Sequence, residues 1–123
     1  MDLKIGMKNT LEITATDQMC ADHNDSQFPK LDMPHVFSTP SMINLMEFTC
    51  AQLMNQYLDA DQRSVGMAVD VKHLAATQAG EKVTCECEII EIDGRKILFQ
   101  VTAHDEKGLI GKGTHKRAVV RKG

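Results

Sequence analysis

One acidic residue stands apart in the first half of the chain. Between Thr39 and Leu58 the only charged side chain is Glu47. On a helical wheel turning about 100° per residue it falls at the edge of the apolar sector, beside Ile43, Ala51, Met54 and Leu58. An ionised carboxylate held out of water without a partner costs several kcal/mol. Such a residue therefore needs a route to solvent, a Lys or Arg partner, or a chemical task. Desolvation raises a carboxyl pKa and a nearby imidazolium lowers it. A carboxylate tuned in this way can attack a carbonyl, or deprotonate a water that does. His73 is a candidate imidazole. It closes the alternating run Val65, Met67, Val69, Val71, His73, where a histidine is either a satisfied core residue or, being next to a turn, part of a site. Thr39 precedes Pro40 and reads as a helix N-cap. Its hydroxyl then lies at the positive end of the helix dipole, where free N–H groups can steady an oxyanion.

These residues need elements to hold them. Thr39-Pro40 opens a helix running to about Leu58, so poor in charge that it is expected to be buried on most sides. Leu11 to Thr16 alternates as a first strand. Residues 17–38 break all periodicity, carry Pro29 and Pro34, and form a candidate lid loop. After the helix the period becomes two: Val65 to His73, Val83 to Ile89, Ile97 to Ala103, and Leu109 to Val120, with turns at Gln78 to Glu81, Asp93-Gly94 and Glu106 to Gly108. Short links between strands predict antiparallel pairing. The expected class is α+β, a five-stranded antiparallel sheet wrapped around one long central helix.

The 123 residues suit one domain spanning 1–123, too short for a TIM-type barrel or a dinucleotide-binding domain plus a substrate domain. The net charge of -3, with four Phe, one Tyr and no Trp, argues against a nucleic-acid partner. No stretch approaches the ~20 apolar residues that span a bilayer, and the N-terminus lacks the apolar run of a secretory signal, so no membrane partner and a cytoplasmic location are expected. Cys20, Cys50, Cys85 and Cys87 form no C-x-x-C pair and read as buried, reduced thiols. His23, His35, His104 and His115 have no metal-ligand spacing, so neither metal nor cofactor is implied.

A sheet around one nearly uncharged helix is the hot-dog architecture, and three segments carry a closer likeness. Val36-Phe37-Ser38-Thr39-Pro40-Ser41-Met42 with Leu45-Met46-Glu47, then Ser64 to Thr77, then Gly108 to His115, resemble the helix start, central strand and last strand of the fluoroacetyl-CoA thioesterase group, in order and spacing. The resemblance covers roughly Thr10 to Val120; the segment from Cys20 to Leu31 matches poorly. It implies a homodimer that hydrolyses an acyl-CoA thioester, coenzyme A being part of the substrate rather than a cofactor. It also implies a catalytic set of Thr39, Glu47 and His73, with Phe37 and Gly66 beside the acyl thioester.

Each assignment has a plainer rival. Glu47 as a helix-face glutamate reaches solvent or pairs with Lys or Arg, and Gly66 within a strand marks a bulge or close packing. Among the basic residues of the C-terminal end, Arg117 is the candidate for the phosphates of coenzyme A, although such runs also guard sheet edges. Two other functions fit the fold: an enoyl-thioester hydratase, against which Gln52 stands where that group has a histidine, and a non-catalytic acyl-CoA binding module.

Overall fold

Ser38, not Thr39, caps the helix. Its Oγ accepts the backbone N–H of Ser41 at 3.1 Å, and helix α1 runs Thr39–Asn55 with Pro40 in its first turn. This corrects the cap by one residue and leaves the Thr39 hydroxyl free for another partner. The helix also ends sooner than Leu58, in a turn where the N–H groups of Gln56 and Tyr57 bond to the carbonyls of Leu53 and Met54. The computed structural model describes residues 1–122.

Five strands, β1 (Lys8–Thr14), β2 (Gln62–His73), β3 (Lys82–Asp93), β4 (Lys96–His104) and β5 (Leu109–Arg121), form one antiparallel sheet in the order β1-β3-β4-β5-β2. The turn at Gly94, with φ near 59°, closes the β3–β4 hairpin between Asp93 and Lys96. The link after β2 is no hairpin: β2 pairs with β5 at the sheet edge, and β1 takes the place beside β3. Met42, Leu45, Met46, Cys50, Leu53 and Met54 of α1 bury against Val83, Cys85, Ile89, Ile97, Phe99 and Val101 of the sheet. At roughly 1.5–3 kcal/mol for each large apolar side chain, this layer carries the fold. The four cysteines are free and buried.

A bulge changes the reading of β2. Gly66 pairs with Arg117 and Ala68 with Lys116, so Met67 is an extra residue in the ladder. Paired residues share a face. Before the bulge, Ser64 and Gly66 lie on the helix side, opposite the buried Val119 and Arg117; after it, Val69 and His73 do, opposite His115 and Gly111. Val65 pairs with Ala118 and belongs to the other face, so the single apolar face expected from Val65 to His73 is split. One inserted residue inverts a period-two pattern.

The segment 17–38 begins with the 3-10 turn Asp17–Met19 and closes on itself. Cys20 bridges Phe37, and Ser38 donates its N–H to the Met19 carbonyl at 2.9 Å. His35 spans the neck, with Nδ1 2.8 Å from Asp22 and Nε2 2.8 Å from Asp17, and these two carboxylates raise its pKa. Phe28 and Leu31 project into solvent beyond the neck.

Candidate active site

Two groups of chemically able side chains lie along α1. The first joins the helix start to the end of β2. Thr39 Oγ1 and His73 Nδ1 share a 2.8 Å hydrogen bond. It exists because Ser38 has taken the capping task and because β2 ends at His73, pinned by the bond from Leu74 N–H to the Ile110 carbonyl. The pair opens on a cleft of about 320 Å³ walled by Phe37, Leu74 and Ala75. Phe37 is almost wholly buried, its N–H bonded to the Thr77 carbonyl at 2.9 Å. Burial lowers the His73 pKa, the nearby Ala75 backbone opposing it, so the ring is neutral near pH 7. Its Nε2 is buried and has no hydrogen-bond partner among the described residues. That is not the satisfied core histidine of the plainer reading.

The second group gathers around Glu47. Gly66 faces its carboxylate so closely that a Cβ there would come within 2.7 Å of Glu47 Oε1. Gly66, which the resemblance sets beside the acyl thioester, leaves room for Glu47. Arg117 Nη1 stands 3.8 Å from the same oxygen, and His115 Nε2 3.9 Å. The Glu47 side chain is 36% exposed, so it is edged by water rather than withdrawn from it. Here the plain rival holds in part: an arginine faces this glutamate, and solvent reaches it.

Arg117 is largely buried and is tied back into the chain. Its Nε donates to Ser64 Oγ at 3.0 Å, Nη2 to the Ser64 carbonyl at 3.2 Å and Nη1 to His115 Nε2 at 3.1 Å. The guanidinium is buried with every nitrogen engaged, because β5 alternation turns residues 115, 117 and 119 toward the helix. Sequence reading passed over His115 for lack of metal spacing. The available signal was its place two residues before Arg117, on the strand face that Val119 shares.

The expected trio is thus divided within one chain. Thr39 meets His73, whereas Glu47 lies eight residues further along α1, roughly 12 Å at 1.5 Å per residue, with His115 and Arg117 as its neighbours.

A thioesterase superfamily member from Thermus thermophilus has the same fold: 24% identity, TM-score 0.88, 99% of this chain and 88% of that one covered. A mutant of the fluoroacetyl-CoA-specific thioesterase FlK, solved with fluoroacetate and CoA, superposes with a TM-score of 0.92 at 35% identity, covering 97% of this chain and 96% of that one. The fold and the likeness to these relatives define a thioester hydrolase of the hot-dog class. A curated relative, the fluoroacetyl-CoA thioesterase of Streptantibioticus cattleyicolor, is 35% identical over 119 residues, 96% of this chain and 86% of the relative. The chain belongs to the fluoroacetyl-CoA-specific thioesterase family, which it matches over residues 15–123.

Proposed function

We propose that the protein hydrolyses an acyl-CoA thioester as a homodimer, each active site joining Thr39 and His73 of one protomer to Glu47 of the other. The division of the site carries this reading: His73 offers a buried, unpartnered Nε2 but no carboxylate, and Glu47 offers a carboxylate without a free imidazole. Symmetric pairing of two chains supplies each half with the other.

The edge strand supports the same assembly. Residues 65–70 of β2 are exposed, including Val65 at 46%, Met67 at 49% and Val69 at 40%, along a strand whose outer edge has no ladder partner among the described residues. Long apolar edges invite strand addition, and a second copy of β2 covers this one while bringing the two helices near each other.

In the reaction, the thioester carbonyl sits in the cleft beside Thr39, where the N–H groups at the start of α1 favour negative charge on the carbonyl oxygen, while the Thr39 hydroxyl donates to His73 Nδ1 and leaves the ring proton on Nε2. Glu47 takes a proton from water as the oxygen adds to the carbonyl carbon, or adds directly to give an anhydride that water opens. The C–S bond then breaks, and the proton drawn from water ends on the departing thiolate, to which His73 Nε2–H donates a hydrogen bond. The products are a carboxylate and coenzyme A. Fluoroacetyl-CoA, the substrate named for the curated relative, is the first to assay. Phe37 contributes the wall of the acyl pocket, and Gly66 acts by seating Glu47. Four free thiols fit a reducing cytoplasm.

Subunit mixing tests the reading. Glu47→Gln and His73→Ala homodimers are each expected to lose thiol release by at least about a hundredfold. Once mixed and exchanged, they recover about a quarter of wild-type activity, because half the dimers are mixed and each mixed dimer holds one intact site of two. No recovery, with exchange verified by native mass spectrometry, overturns the shared site.

A further inference from the structure

Behind Glu47 lies a buried relay that the proposed reaction does not itself use. His115 is 1% exposed. Its Nδ1 lies 2.9 Å from the carbonyl of Ala68, the first residue after the β2 bulge, so Nδ1 carries the proton and donates. That leaves Nε2 as a lone pair, and it accepts the Nη1–H of Arg117 at 3.1 Å. With Ser64 holding Nε and Nη2, the guanidinium is fixed on three sides, and Nη1 is presented toward Glu47 Oε1 at 3.8 Å. A protonated imidazole could not accept this bond, and it would set a second cation against Arg117. Burial, foremost, and the neighbouring guanidinium keep the ring neutral.

We infer that His115 is a positioning residue for the reaction: through Arg117 it fixes the location of the guanidinium facing Glu47, and so the orientation of the reacting carboxylate. The inference rests on the reading that Glu47 is the reacting group. It extends that reading to a residue with no contact to the acyl cleft. The bulge belongs to the same device, since Ala68 presents its carbonyl to the ring just past the extra residue.

The test contrasts two amides. His115→Asn keeps a group near Nδ1 for Ala68 but cannot reach Arg117. His115→Gln extends an amide oxygen toward the position of Nε2. For His115→Asn, kcat is expected to fall roughly tenfold, the scale of one lost charge-assisted hydrogen bond, with KM within about twofold. His115→Gln is expected to regain most of the loss. In an Arg117→Met background, His115→Asn adds no further drop in kcat, since the histidine then has nothing to hold. Equal losses in the Asn and Gln variants, a rise in KM at constant kcat, or multiplying losses in the double variant each overturn the inference. Should Glu47→Gln retain full turnover, the site reading itself fails. If that variant is inactive while His115→Asn is normal, only the relay fails.

Discussion

The two ends of the helix seam differ in how finished they are. At Thr39 and His73 the structure provides one hydrogen bond, an open cleft and an imidazole nitrogen without a partner among the described residues. Around Glu47 the supporting groups are complete: Arg117 and His115 are buried, mutually bonded and anchored to Ser64 and Ala68. A single chain has thus finished the scaffold of its carboxylate and left its imidazole waiting. Rigid support behind a reacting group lowers the reorganisation needed during turnover. An unpartnered buried nitrogen, by contrast, costs stability and is retained where something arrives to use it.

The sharpest way to break this contrast is Gly66→Ala. The new methyl group would meet the tip of a flexible side chain, not backbone, so the fold persists while the carboxylate leaves its seat. Thiol release is expected to fall by roughly a hundredfold, with the melting temperature changed by no more than about 4 °C. Unchanged turnover would show that Glu47 works from elsewhere. A smaller effect separates Thr39 from Ser38. Thr39→Val removes the hydroxyl that holds His73 and is expected to lower kcat roughly tenfold at nearly constant stability. Ser38→Ala removes the cap and costs about 1 kcal/mol of unfolding free energy, measured in urea, with the Thr39–His73 bond intact by crystallography. If the two variants exchange these signatures, the cap assignment is wrong.

The smallest effect is a pH dependence. Burial lowers the pKa of both His73 and His115. Below the ordinary imidazole value the unfolded chain binds protons that the folded chain refuses, so unfolding is favoured. Stability should therefore fall as the pH drops from about 6.5 toward the lowered folded values, and level off beneath them. The stability lost in that window should shrink in His115→Gln. A slope there of the opposite sign would mean that His73 and His115 do not dominate the titration, or that their pKa values are raised.

Much of this architecture was written in local periodicity. The long uncharged run from Thr39, the four alternating segments after it and the Asp93-Gly94 turn define helix, strands and hairpin, and Glu47 was conspicuous as the one charge between Thr39 and Leu58. What periodicity could not carry is pairing across distance. β2 lies beside β5 rather than its sequence neighbour, and only that register shows Met67 to be an extra residue. The same limit hid the task of Arg117. A basic residue near a chain end resembles any surface cation until Ser64, His115 and Gly66 are seen around it. Ser38 and Thr39 are both competent caps by type, and hydrogen bonding to His73, 34 positions away, distinguishes them.

Met67 sets the phase of the strand that contains it. Upstream, even-numbered positions look toward the helix; downstream, odd-numbered ones do. Removing that single residue would restore unbroken alternation and, in doing so, force a choice: keep Gly66 under the glutamate and turn the imidazole of His73 away, or keep the imidazole and lose the glycine. The irregularity is what allows one strand to serve both ends of the seam.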